Sequence, residues 1–316
     1  MRYYMPINVS VIGVGHMGFL HAQKLSKMAG VKLVGIWDTD TERMNKVAAE
    51  LGTKAFESFD EIVGYSRAVV LASPSSTHGK LGMHIIERAR HLLIEKPIAA
   101  SVEEAEVLTE IATEHKTVLM VGHIENFNPA FLAAKKYIDK PIFIETHRLT
   151  SFRERGADVS VVEDLMIHDL EILAQLCGTN VDSIDVSEAS VLTDSSDIAN
   201  VRMKFENETV ANITASRLSL TPQRKMRVFQ NNAYISIDFA NKIVEIAKIA
   251  GENPDGKIIQ LGNTDIEVLR PKIAQTDQLE EELKFFINAI KKDTRIDNSS
   301  AVWALRMSKY ITGKSK

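Results

Sequence analysis

A chain of 316 residues, 45% hydrophobic and 25% charged, is long enough for two ordinary globular domains, each with its own core. A formal net charge of -4 excludes a general pull toward nucleic acid or an anionic membrane surface, and no apolar run approaches the roughly 20 residues of a membrane span. Cys177 is the only cysteine, which excludes a disulfide framework and a cysteine-built zinc cluster, and no metal is expected.

The N-terminus enters its first strand within a few residues, leaving no room for a signal peptide, so the expected compartment is the cytoplasm. Ile7 to Ile12 is a run of strand formers that meets Gly13, Gly15 and Gly18 at G-x-G-x-x-G spacing, followed by a helical pattern over 19–28. Gly13 permits the tight turn out of the strand. Gly15 lets the backbone approach a pyrophosphate, and Gly18 lets the helix pack closely on the sheet. The phosphates would rest at the helix N-terminus, where free N–H groups favour anions, with His16 and Met17 lining the turn. A glycine pattern alone also fits an ordinary turn. Here a second strand, 31–38, ends in Asp38, about 20 residues beyond the last glycine. A carboxylate there accepts both ribose hydroxyls of an adenosine and repels a 2′-phosphate, so NAD is the expected cofactor and NADP is disfavoured.

Beyond Asp38 a helix opens at 40–43, runs to Leu51 and stops at Gly52. A short extended piece at Ala55 and Phe56 precedes a turn. Segment 67–73 reads as a buried strand, and Ser75 leads into a helix with Leu81, Ile85 and Ala89 on one face. Segment 91–95 is a strand, Ser101 to Glu104 is a capping box that starts a helix, and 117–122 is again a strand. This alternation predicts an α/β domain over 1–122, with a doubly wound parallel sheet. Its right-handed crossovers bring the loops after the strands to one ligand-binding edge. Ser73 and His78 fall in such a loop, where His78 can approach the cofactor or simply cap the next helix. Glu95-Lys96-Pro97 falls in another. A lysine held at a strand end by a rigid proline can polarise a substrate oxygen and stabilise developing alkoxide charge. The plain alternative is a surface lysine paired with Glu95.

The pattern changes over 123–316, which reads as an α+β domain. A helix begins near Asn128 and Pro129, a strand covers 142–149, and a helix covers 163–176. Extended segments follow at 181–192, 198–205, 209–217, 224–230, 233–239, 242–249 and 257–269, before helices at 279–291 and 300–310. Several segments alternate, as in Val201/Met203/Phe205, which predicts a mostly antiparallel, open-faced sheet. On the 163–176 helix, Asp164, His168, Glu171 and Gln175 fall in a polar stripe about 60° wide on an otherwise apolar wheel. Asp164 and His168 stand four apart, so the carboxylate can orient the imidazole. A neutral histidine with a pKa near ~6.5 can accept an alcohol proton while hydride leaves the same carbon. A core histidine satisfied by its acid is the plain alternative. Asp169 lies on the apolar side and requires a partner. Arg153 and Arg155 can clamp an anionic substrate such as a diphosphate, or belong to a solvated loop. His21 and Lys24 read as core-edge and surface residues.

Taken together, Gly13-Val-Gly15-His-Met-Gly18, Asp38, Glu95-Lys96-Pro97 and Asp164-x-x-x-His168 resemble, in order and spacing, the glucose–fructose oxidoreductase/inositol dehydrogenase/MocA family. The resemblance covers nearly the whole chain. It implies an N-terminal Rossmann domain that binds NAD and a C-terminal domain whose open sheet forms homodimer or homotetramer contacts. It implies Lys96 and His168 as the catalytic pair, with Asp164 as the positioning acid and Glu95 beside the cofactor. Segments 122–129 and 158–169 are similar to bacterial members that oxidise UDP-N-acetylglucosamine at the sugar C3 hydroxyl, which points to a nucleotide-sugar substrate and places Asn128 near it. Such members usually carry Arg where this chain has Asn126. A dehydrogenase of a free sugar or polyol, an NAD-dependent glycosidase and a non-catalytic dinucleotide sensor are the other readings.

Overall fold

The computed structural model describes residues 5–152, 159–252 and 254–314. The chain divides into two compact units, Met1–Ile124 with Asp277–Val302, and Glu125–Thr276 with Trp303–Lys316. In the first unit, β1 (Ile7–Ile12), β2 (Val31–Trp37), β3 (Ala68–Leu71), β4 (His91–Glu95) and β5 (Leu119–Gly122) form a parallel sheet in the order β2-β1-β3-β4-β5. Between them run α1 (His16–Lys27), α2 (Thr41–Leu51), α3 (Phe59–Tyr65), α4 (His78–Glu87) and α5 (Val102–Glu114). β3 is buried along its whole length, as a central parallel strand covered on both faces must be. Caps end the helices where the sequence places them. Asp40 Oδ1 accepts from Arg43 N at 3.0 Å, Gly52 closes α2 at φ 62°, and Ser101 Oγ accepts from Glu104 N at 3.2 Å. The turn expected after Phe56 contains the seven-residue helix α3, capped by Ser58, whose Oγ accepts from Glu61 N.

The second unit begins with α6 (Pro129–Lys135) and β6 (Phe143–Leu149). A π-helical turn over Val162–Met166 then runs into α7 (Ile167–Cys177). Strands β7 (Val181–Ala189), β8 (Ile198–Phe205), β9 (Val210–Ser216), β10 (Gln223–Gln230), β11 (Ala233–Asp238), β12 (Ile243–Ile249), β13 (Lys257–Leu261) and β14 (Thr264–Leu269) join β6 in one sheet, ordered β13-β14-β12-β11-β10-β6-β9-β8-β7. Every pairing is antiparallel except β6 with β9. The run 257–269, expected as one extended piece, folds back on itself at Gly262, whose φ is 61°. One face of the sheet buries Ile144, Met203, Phe205, Ile213, Val228 and Ile237 in a core shared with Phe131, Leu170 and Trp303. The other face carries Asn200, Arg202 and Lys204 in the open.

Two helices close the chain, α8 (Gln278–Lys292) and α9 (Ser299–Lys314). α8 packs in the first unit, against α1, although chain order groups it with the C-terminal half. Its buried stripe of Leu279, Leu283, Phe286, Ile287 and Ile290 is the physical reason. Among the described residues, no helix is long and apolar enough to cross a membrane.

Candidate active site

In a parallel sheet all strands end on one edge, and in the first unit that edge gathers the sequence-predicted cofactor residues. Gly13 turns at φ 81° and its N–H donates to Trp37 O at 2.8 Å. A Cβ at Gly13 would lie 2.7 Å from Ser73 N, and one at Gly18 would lie 1.8 Å from Gly13 O, so both glycines are fixed by packing. A Cβ at Gly15 would meet nothing within 4 Å. Packing does not require glycine there. The space in front of it, at the N-cap of α1, is open, and a pyrophosphate would have bare backbone to approach there. His16 is exposed and Met17 half-buried on the same turn.

Asp38 is buried at the end of β2. Its Oδ2 accepts from Val14 N at 2.7 Å, and its Oδ1 accepts from Asp40 N and from Arg43 Nη2, both at 2.8 Å. Burial pushes the carboxyl up, but these donors outweigh it and hold the group below the usual carboxylate range. The residues therefore fit NAD: an ionised Asp38 where the adenosine ribose would lie, and an open glycine turn for the phosphates. Arg43 is a neighbour that the sequence reading did not single out, although its place in the first turn of α2 was visible.

Ser73 and His78 follow β3. Ser73 Oγ shares a hydrogen bond with Thr77 Oγ1 at 2.7 Å. His78 is buried, with Nδ1 2.8 Å from Pro97 O and Nε2 2.9 Å from Ser73 O. Burial pushes its imidazole below the ordinary value, and a neutral ring donates to one of the two carbonyls. The structure thus places His78 as a strut between the loops after β3 and β4. Glu95 ends β4, and Lys96, half-buried, donates its backbone N–H to Glu95 Oε2 at 3.3 Å. His21, read from the sequence as core-edge, is fully buried with Nε2 2.6 Å from Glu95 Oε1. Among the described residues, His21, Glu95 and Glu282 form the one group of three metal-ligand types gathered within 4.8 Å.

In the second unit, Asp164 lies in the π-helical turn and His168 in the first turn of α7, both half-buried. A π turn carries an extra residue, and of the expected polar stripe it holds Asp164 alone; His168, Glu171 and Gln175 lie on the regular α7. Glu171 is buried and accepts from Gln175 at 2.8 Å, while Gln175 is exposed and also donates to Asn126 Oδ1 at 2.7 Å. Asp169 finds its partner in Arg148 of β6, which also reaches Glu125 at 2.9 Å. Burial alone would lower the Arg148 guanidinium, but Asp169 and Glu125 outweigh it and raise it. Asn128, expected near substrate, is 1% exposed and caps α6: Oδ1 accepts from Ala130 N, and Nδ2 donates to Glu125 and to Phe239 O. Its amide is occupied inside the unit. Arg153 and Arg155 lie outside the described residues.

Residues 7–123 match an oxidoreductase family with an NAD-binding Rossmann fold, GFO/IDH/MocA. A UDP-N-acetylglucosamine 3-dehydrogenase from Acidithiobacillus ferrooxidans is 36% identical over 286 residues, covering 90% of this chain and 88% of that protein. A solved structure of the same enzyme superposes with a TM-score of 0.89 at 33% identity, over 97% of both chains. The NAD-dependent scyllo-inositol 2-dehydrogenase of Bacillus subtilis is 31% identical over 56% of each chain.

Proposed function

The chain belongs to the GFO/IDH/MocA oxidoreductases, and from that premise we propose that it is an NAD-dependent dehydrogenase that oxidises the C3 hydroxyl of a UDP-N-acetyl sugar. The observation that carries the substrate is 36% identity to a UDP-N-acetylglucosamine 3-dehydrogenase, sustained over 90% of the chain.

Bound NAD supplies a hydride acceptor. The chain's own residues supply the rest. Gly13, Gly15 and Gly18 shape the phosphate turn, and Asp38 selects the unphosphorylated ribose. Lys96 places positive charge on the reacting oxygen, which stabilises alkoxide character as the C–H bond weakens. His168 accepts the hydroxyl proton, and Asp164 orients its ring. His78 keeps the Lys96 loop in register with the Ser73 loop, and Arg153 and Arg155 meet the diphosphate. The protein works in the cytoplasm as a homodimer or homotetramer joined through the open sheet face, where Arg202 and Lys204 stand exposed.

The test is purified protein with NAD⁺ and UDP-N-acetylglucosamine, following NADH absorbance and the ketosugar by mass spectrometry. Turnover of a free sugar or polyol, with none of any nucleotide sugar, overturns the substrate and keeps the reaction type. Light scattering of the eluting protein reads the oligomer.

A further inference from the structure

Glu282 breaks the pattern of its helix. It lies on the same stripe of α8 as Leu279, Leu283 and Phe286 and is fully buried. Neither of its carboxylate oxygens has a hydrogen-bond partner. The side chain is aimed at His21 of α1 and Glu95 at the end of β4, one polar atom of each lying within 4.8 Å of the others. A desolvated carboxylate is tolerated only with a cation or several donors around it. The groups facing Glu282 are His21, already bonded to Glu95 at 2.6 Å, and Glu95 itself, with Lys96 and His78 adjoining Glu95 beyond. His123 follows Gly122 of β5, whose Cα faces the Glu95 side chain. Lysines of the two helices are engaged elsewhere: Lys24 of α1 with Asp277 at 2.7 Å, and Lys284 of α8 with Glu280 and Glu281 at the surface.

Two buried carboxyl groups this close cannot both ionise without strong repulsion. Glu95 is the one whose charge is compensated, by His21, by the Lys96 N–H and by the Lys96 ammonium. A divalent cation could also be held by one imidazole and two carboxylates. However, a 2.6 Å His21–Glu95 contact is a made hydrogen bond, and an ion would have to break it. We propose that Glu282 is a neutral carboxylic acid at neutral pH and a positioning residue for Lys96, so that the strand end bearing Lys96 adjoins one negative charge and not two.

Titration of the groups runs the same way. Burial, and then the charge of Glu95, push the Glu282 carboxyl well above the usual range. Burial also pushes Glu95 up, but His21 and Lys96 outweigh it and hold that carboxyl down. A raised folded-state value means that the stability from the neutral acid is complete below the ordinary carboxylate pKa. It is lost as pH rises toward the folded one. Stability should therefore decline as pH rises from the ordinary carboxylate range toward the folded value, and turnover should decline where Glu282 ionises and puts a second negative charge next to the Lys96 loop.

The positioning role rests on the dehydrogenase reading; the protonation state does not. Infrared spectra of the full-length protein at neutral pH should contain a protonated-carboxyl C=O band that is missing from Glu282→Gln. The amide keeps shape and neutrality, so Glu282→Gln should restore most of the activity that Glu282→Ala loses, the latter falling about tenfold in kcat with little change in KM. Glu282→Gln should also lose the decline in melting temperature with rising pH. Absence of the band, or a Glu282→Gln variant as impaired as Glu282→Ala at every pH, overturns the proposal. One equivalent of divalent metal in the purified protein, missing from Glu282→Gln, overturns it in favour of a cation site. A band present in a protein that oxidises no sugar overturns the dehydrogenase reading and the positioning role with it, while the neutral acid stands.

Discussion

Arg148 and Asp169 meet in a buried two-pronged ion pair, Nε donating to Oδ2 at 2.8 Å and Nη2 to Oδ1 at 2.9 Å. The pair joins β6 to α7 one residue after His168, and Glu125 and Arg224 extend it at 2.9 and 3.1 Å. Side chains of Arg148, Asp169 and Glu125 are each 3% exposed, so water cannot take over a lost partner. Arg148→Met should therefore cost about 3–5 kcal/mol, because the buried Asp169 loses its guanidinium and Glu125 keeps only that of Arg224. Arg148→Lys, which keeps the charge but not the fork, should cost less. Urea unfolding reads both; equal losses would mean that the fork geometry matters as much as the charge.

The same network sets a pH dependence. Burial alone pushes the Glu125 carboxyl up, but Arg148 and Arg224 outweigh it and hold it below the usual range. A depressed folded-state value contributes stability that is fully present above the ordinary carboxylate pKa and is lost as pH falls through the folded one. Melting temperature should fall on acidification below about pH 4, the ordinary carboxylate range. Glu125→Gln should lower it at neutral pH and flatten that fall. An unchanged acid slope in the variant would remove Glu125 from the account.

The three glycines of the phosphate turn should separate folding from cofactor binding. A methyl group at Gly15 meets no protein atom within 4 Å, and the backbone there has φ -62°, which any residue adopts. Gly15→Ala should melt as wild type does yet lose about tenfold or more in NADH affinity, since the methyl occupies the space of the pyrophosphate. Gly18→Ala meets Gly13 O at 1.8 Å and should lower the melting temperature. Fluorescence titration with NADH, beside thermal unfolding, reads both. An intact NADH affinity in Gly15→Ala would place the phosphates elsewhere.

Cofactor preference turns on Asp38 and Arg43. Asp38 repels a 2′-phosphate and also holds the Arg43 guanidinium at 2.8 Å. Asp38→Ser removes the repulsion and frees Arg43, a group suited to a phosphate. The ratio of NADH to NADPH affinity should fall by about tenfold or more, the worth of one or two charge-assisted bonds. A ratio that stays fixed would mean that selection rests on other residues.

How much was legible in the chain follows from what is local. The Rossmann half was readable because strand, turn and helix signals lie within a few residues of each other, as with Asp40 capping α2 and Gly52 ending it. Segment 59–65 was missed as a helix because seven residues give barely two turns of periodicity. The Asp169 partner was unreadable because Arg148 lies on a separate strand 21 residues away, and only tertiary packing brings them together. The π turn at Val162–Met166 leaves no mark in a uniform 3.6-residue period, so the placing of Asp164 relative to His168 was not readable from spacing alone, whereas Glu171 and Gln175, both on α7, meet at 2.8 Å as that period requires. Glu282, by contrast, was visible as an acid among the apolar positions of α8. What chain order could not say is which unit that stripe would face.

Lys96 separates chemistry from binding most cleanly. It sits half-buried where β4 ends, its loop is tied through the Pro97 carbonyl to His78, and its neighbour Glu95 is anchored by His21. The ties through His78, Pro97 and His21 remain when the Lys96 charge beside Glu95 is removed, so Lys96→Met, similar in length and apolar, should lower the melting temperature by no more than a few degrees. If the ammonium stabilises charge on the reacting oxygen, kcat should fall about 100- to 1,000-fold, as when a single electrostatic donor is removed from an oxyanion site. NADH affinity should change little, because the phosphate turn and Asp38 are untouched. Single-turnover rates with NAD⁺ and UDP-N-acetylglucosamine, read beside NADH titration, separate the two effects. A Lys96→Met protein that binds NADH poorly but reduces NAD⁺ at the wild-type rate once saturated would make Lys96 a cofactor ligand and remove it from the chemistry.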